Sequence, residues 1–125
     1  MVLLVDDEEA IRGVLRQVLE RRGYRVAAVP CGAEALAAFA EQVNAIEVVV
    51  TDYSMPGMNG LQLMKMLHER NPRLPIIIVT GVDQNLGLED SPMANVVQVL
   101  KKPFSSDALL KAVAKALRRR VVSQD

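Results

Sequence analysis

Short apolar runs alternate with stretches of helical periodicity from one end of the chain to the other. Such alternation implies βαβ units, a parallel sheet and right-handed crossovers. The first strand is read at about Leu3–Val5, and a helix follows from near Asp7-Glu8-Glu9, acids that suit a helix N-terminus. The apolar stripe of this helix is Ile11, Val14, Leu15, Val18 and Leu19, and Gly23 ends it. The second strand covers about Arg25–Val29, and the second helix about Ala33–Gln42 with Leu36, Phe39 and Ala40 inward. The third strand is Glu47–Thr51, followed by a turn-rich loop and a helix over Gly60–Arg70 with Leu63, Met64 and Leu67 inward. The fourth and fifth strands are Pro75–Val79 and about Val96–Leu100. The last helix spans about Ser105–Arg120, capped by Ser105 or Ser106, with Leu110, Val113, Ala114 and Leu117 toward the core. One segment breaks the pattern. A helix is due between Gly81 and Asn95, yet Gly81, Gly87 and Pro92 lie there. Glycine costs ~1 kcal/mol in a helix interior and proline ~3 kcal/mol, so this helix is expected to be short or irregular.

The polar groups that end these runs matter most. Asp6-Asp7 follows Val2-Leu3-Leu4-Val5, Asp52 follows Val48-Val49-Val50-Thr51, Thr80 ends Ile76-Ile77-Ile78-Val79, and Lys102 follows the run from Val96 to Leu100. In an open parallel sheet all of them meet at the carboxyl edge, where ligands of such sheets bind. Three carboxylates there would repel one another without a cation. Mg²⁺, or Mn²⁺ in its place, suits such oxygen ligands. A cation, a hydroxyl and an ammonium beside a carboxylate suit phosphoryl transfer, which needs positioning and charge neutralisation more than covalent help. Asp52, at the middle of the edge, is the candidate nucleophile for an acyl phosphate. Lys102 would neutralise one phosphoryl oxygen, and Thr80 would donate a hydrogen bond to another.

Composition narrows the class. At 125 residues the chain is one domain, half of it apolar. Fifteen basic side chains balance fifteen acidic ones, so no global field draws it to nucleic acid or membrane. No run approaches the ~18–20 apolar residues of a membrane span. The single cysteine, Cys31, points to no oxidising compartment, and the short apolar start before four acids lacks the form of a signal peptide. A cytoplasmic chain is expected, with residues 1–120 as the domain and 121–125 as a tail or linker stub.

Four ordered motifs carry a family resemblance: Val5-Asp6-Asp7-Glu8, the loop from Thr51 to Gly60 with Met55-Pro56-Gly57-Met58-Asn59-Gly60, Ile78-Val79-Thr80-Gly81, and Lys101-Lys102-Pro103-Phe104. Together they resemble the receiver domain of two-component response regulators over essentially the whole chain. The resemblance implies a flavodoxin-like (βα)5 doubly wound α/β fold with strand order 2-1-3-4-5. It implies that Asp52 accepts a phosphoryl group from a sensor histidine kinase or a histidine phosphotransfer protein. Asp6, Asp7, Asp52 and the main-chain carbonyl of Ser54 would hold Mg²⁺. Thr80 would be the switch hydroxyl, Lys102 the phosphate-binding lysine, and the bond from Lys102 to Pro103 a cis peptide. Output would be altered binding to a partner or an attached domain, with no separate substrate turned over. Two features depart from many members. Val99 stands where a switch aromatic is common, and the segment after Thr80-Gly81 is degenerate, as in receivers attached to hybrid sensor kinases. Ser54 and Val82, at the positions that tune phosphoryl lifetime, are neither acids nor amides, which implies slow self-hydrolysis.

Blander readings stand beside these. Taken singly, Asp6-Asp7 suits a helix cap, Asp52 a turn, and Thr80 a strand end; only their common register argues for a site. Lys101 should point away from Lys102 by strand alternation. His68, near the end of a surface helix, reads as solvated, and Cys31 as inert. Arg118-Arg119-Arg120 reads as a helix end that complements the macrodipole, and the methionines as core fillers. One rival is a haloacid-dehalogenase-like phosphatase, but that class wants Asp-x-Asp at the nucleophile, and Ser54 holds the second position here. Another is a pseudo-receiver, an interaction module that is never phosphorylated.

Overall fold

A computed structural model describes residues 1–81 and 97–122 of the chain, with side chains to Arg118. The helix expected from Gly81 to Asn95 lies outside the described residues except for Gly81, and so does Val82. Nine elements follow in order among those described: β1 (Val2–Val5), α1 (Glu9–Arg21), β2 (Val26–Val29), α2 (Gly32–Glu41), β3 (Val48–Asp52), α3 (Gly60–Arg70), β4 (Ile76–Thr80), β5 (Val97–Lys101) and α4 (Ser106–Val122). All five strands pair in parallel, in the order β2-β1-β3-β4-β5. This is the doubly wound α/β arrangement that the alternating pattern predicts.

The sheet divides the apolar residues by the two-residue period of a strand. Leu3, Val5, Val49, Ile76 and Ile78 pack on one face with Phe39 of α2 and Leu63, Met64 and Leu67 of α3. Val2, Leu4, Val48, Val50, Ile77 and Val79 pack on the other with Leu15 and Leu19 of α1 and Leu109, Val113 and Ala116 of α4. Both faces are covered, so the central strands read as continuous β-branched and leucine runs rather than alternating ones.

The helix ends follow local chemistry. Gly23, at φ +95°, turns the chain out of α1, a conformation glycine adopts at no steric cost. The Asn59 side chain accepts from the Gln62 N–H while the Gln62 side chain accepts from the Asn59 N–H, a complete capping box at the start of α3. The Ser105 hydroxyl, not that of Ser106, accepts from the Ala108 N–H and opens α4. This last helix runs to Val122 rather than ending near Arg120.

Three helical stripes differ from expectation. Val14 is 59% exposed, so the buried line of α1 is Leu15 and Leu19 flanked by the partly buried Ile11 and Val18. In α2 the buried positions are Ala35 and Phe39, with Leu36 partly buried and Ala40 exposed. In α4 the core face is Leu109, Ala112, Val113 and Ala116, rotated from the expected one, while Leu110 and Leu117 sit at its margin. Each is an apolar residue beside the true stripe, where periodicity alone does not separate a core position from its neighbour.

Candidate functional site

Register assembles the site. Val5 of β1 lies level with Thr51 of β3, so the residues that follow, Asp6 and Asp52, come level at the sheet edge. Asp52 pairs with Val79 of β4, and Thr80 pairs with Lys101 of β5. The edge is tied crosswise by backbone bonds from the Tyr53 N–H to the Val79 carbonyl (2.8 Å) and from the Lys102 N–H to the Thr80 carbonyl (2.8 Å). Thr80, Asp52 and Lys102 are thus joined through main chain.

Asp6, Asp7 and Asp52 bring carboxylate oxygens within 4.8 Å of one another. Asp6 and Asp52 are buried, while Asp7 is exposed. Such a trio of oxygen donors at a partly open edge fits a hard divalent cation that keeps some of its waters. The Lys102 ammonium approaches the Asp52 carboxylate to 3.4 Å and is the described cation paired with it. Thr80 is buried at the end of β4. Ser54 is exposed in the loop after Asp52, and Val99 is 46% exposed on β5. The Lys102–Pro103 peptide bond is cis. Burial holds the Asp6 carboxyl above its ordinary range; the Glu8 N–H and Lys102 pull it down, and Asp52 and Asp7 push it up.

The loop carrying Ser54 is held at several points. The Gly60 N–H donates to the Tyr53 carbonyl at 2.8 Å, closing the loop, and Gly57 turns it at φ +76°. A β-carbon on Gly60 would overlap the Asp52 carbonyl oxygen and stand 2.9 Å from the Tyr53 Cα. Helix α3 therefore begins directly against the backbone of Asp52. Beside the site, Ile11, Gly81, Lys102, Pro103 and Phe104 line an open groove of about 600 Å³.

Residues 2–114 match the family described as the response regulator receiver domain. The chain belongs to that family. This receiver is 37% identical over 125 residues to the C4-dicarboxylate transport transcriptional regulatory protein DctD of Pseudomonas aeruginosa, covering 99% of the chain and 27% of that protein. It is 34% identical to the sensor kinase CckA of Brucella abortus, covering 99% of the chain and 13% of that protein. The receiver thus spans about a quarter or less of these relatives. Among solved structures, a receiver domain protein from Clostridium thermocellum aligns with a TM-score of 0.87 at 30% identity, over 97% of this chain and 96% of that one. The receiver domain of the hybrid histidine kinase CckA aligns with a TM-score of 0.77 at 30% identity, over 93% and 97%. The flavodoxin-like receiver fold and its place in two-component signalling follow.

Two features of the site escaped sequence reasoning. One is Arg12, whose Nη1 donates to the Asp6 carbonyl at 2.8 Å. Its signal was a lone cation beside Ile11, in the first turns of the helix that follows the acids. The other is the contact of Gly32, at the start of α2, with the Met58 side chain; a β-carbon there would stand 2.7 Å from the Met58 sulfur. His68 also departs from its solvated reading: its Nδ1 is buried without a hydrogen-bond partner among the described residues. Cys31 is half-buried at the N-cap of α2, with its Sγ 3.6 Å from Glu34 Oε2. Among the described residues no helix is long and apolar enough to cross a membrane.

Proposed function

We propose that this receiver takes a phosphoryl group from the phosphohistidine of a sensor kinase or phosphotransfer protein onto Asp52, and that the resulting charge switches binding to a partner or an attached domain. The observation that carries this reading is the meeting of three carboxylates within 4.8 Å with an ammonium 3.4 Å from the buried one. Asp6, Asp7, Asp52 and the Ser54 main-chain carbonyl would hold Mg²⁺, with Mn²⁺ a substitute. When bound, that cation neutralises the carboxylates and the incoming phosphoryl oxygens.

The Asp52 carboxylate attacks phosphorus; the new O–P bond forms as the N–P bond breaks, and the electron pair returns to the imidazole nitrogen. Lys102 shifts from Asp52 to a phosphoryl oxygen, and Thr80 donates its hydroxyl to another. Both are tied to the same backbone bond, so motion of one draws the other. The group added carries roughly two negative charges, and it biases the β5 surface that bears Val99. The groove lined by Ile11, Pro103 and Phe104 beside Lys102 suits an apolar surface of the phosphodonor. The chain promotes its own phosphorylation and, with Ser54 and Val82 offering no acid or amide to orient water, loses the group slowly.

Intact mass of the wild type and Asp52→Asn, incubated with Mg²⁺ and acetyl phosphate, tests the reading. The expected result is one added phosphoryl group that requires both Mg²⁺ and Asp52. Uptake by neither protein, under conditions where Mg²⁺ binds, would leave an interaction module that is never phosphorylated.

A further inference from the structure

The chain bends at Asp7 between β1 and α1, where Asp6 and Asp7 come within reach of Asp52. Two described bonds hold that bend to Asp6. The Glu8 N–H donates to Asp6 Oδ1 at 2.9 Å, and Arg12 Nη1 donates to the Asp6 carbonyl at 2.8 Å. The first occupies an oxygen of the acid cluster itself. The second occupies the carbonyl of the peptide joining Asp6 to Asp7, and leaves every carboxylate oxygen available. Arg12 is half-buried, and its own N–H donates to the Glu8 carbonyl at 2.9 Å, so its backbone is fixed in α1. The guanidinium therefore connects α1 to the peptide that leads into the exposed Asp7.

We infer that Arg12 is a positioning residue of the cation site, holding the Asp6–Asp7 peptide so that both carboxylates converge with Asp52. This rests on the cation reading of the acid cluster proposed above. Loss of a partner that orients a metal ligand without touching the metal typically costs about 10–100-fold in affinity. Simple electrostatics predicts the opposite sign. Removing a positive charge beside an acid cluster should strengthen cation binding, whereas releasing the Asp6–Asp7 peptide should weaken it.

The experiment is a calorimetric titration with Mg²⁺ of the wild type, Arg12→Gln, Arg12→Lys, and two controls. Asp7→Asn tests the cluster itself. Arg16→Gln removes another α1 arginine, one that pairs with Glu20. Thermal melts in EDTA establish that each variant is folded. Arg12→Gln is expected to bind Mg²⁺ roughly tenfold more weakly than wild type, Arg16→Gln to match wild type, and Arg12→Lys, which keeps a charged donor, to lie between wild type and Arg12→Gln. Equal or tighter binding by a folded Arg12→Gln overturns the positioning role and leaves the cation reading intact. Arg12→Lys as weak as Arg12→Gln overturns the assignment of the effect to a donor on the Asp6 carbonyl. Absence of Mg²⁺ binding by the wild type, or binding undiminished in Asp7→Asn, overturns the cation reading and this inference with it.

Discussion

At the scale of the residue, Asp6 shows what a buried acid costs the fold. It is 3% exposed, and burial is the main reason that its carboxyl holds its proton above the ordinary carboxylate range. In the unfolded chain the same carboxyl ionises at its usual pH. Between those two values the folded state binds more protons than the unfolded state, so stability declines as pH rises through the folded value. At neutral pH, without a cation, the buried Asp6 carboxyl is therefore a net liability. Asp6→Asn keeps the size of the side chain and an oxygen to accept from the Glu8 N–H. In EDTA at pH 7 it should melt a few degrees higher than wild type, and the gap should narrow as pH is lowered toward the acid range. An equal or lower melting temperature at pH 7 would refute the claim that burial dominates at Asp6. Stability surrendered at a buried acid in this way is a common pattern of functional sites. Asp6 itself was legible from sequence because it ends an apolar run. Arg12 was not, because its role depends on a side-chain conformation that spacing does not encode.

At the scale of the element, two glycines in helices have opposite meanings. Gly13 lies inside α1 with nothing within 4 Å of the place a β-carbon would take. Gly60 opens α3 where a β-carbon would overlap the Asp52 carbonyl oxygen. Gly13→Ala should stabilise the protein by roughly 0.5–1 kcal/mol, the helix propensity difference. Gly60→Ala should destabilise it by about 1–3 kcal/mol, as overpacking does, and should displace Asp52 as well. Urea denaturation of the two variants measures both; a neutral Gly60→Ala would mean that α3 can retreat from β3 freely. Sequence showed the strands and α3 well, since long β-branched runs and the Leu63, Met64 and Leu67 stripe leave little choice. It placed the inner faces of α1, α2 and α4 less well. In α1, Val14 and Leu15 are adjacent and both apolar, and only the packing of Leu15 against the sheet decides between them. The sequence also hid the reason for Gly60, because a glycine required by close approach looks the same as one required by a turn.

At the scale of the whole molecule, the acid cluster links β1 and β3, neighbouring strands of the sheet, at their carboxyl ends. A cation held there is bound by the folded chain and lost on unfolding, when Asp6-Asp7 and Asp52 separate. By mass action it should stabilise the whole domain by about 2.7 kcal/mol at a concentration 100 times its dissociation constant. Asp7 isolates this effect. It is exposed and contributes little to the core, so Asp7→Asn should fold as well as wild type in EDTA, or slightly better through reduced repulsion with Asp6 and Asp52. Paired thermal melts in EDTA and in saturating Mg²⁺ measure the linkage. The expected pattern is a clear rise for wild type and nearly none for Asp7→Asn at the same Mg²⁺ concentration. A rise of equal size in both proteins would place the stabilising cation elsewhere on the surface. The comparison also separates the parts of the design. The sheet sets the register that brings the acids together, and a cation bound there would offset the repulsion that this register creates. Under the proposed function, that edge would then take a phosphoryl group without its charges pushing the central strands apart.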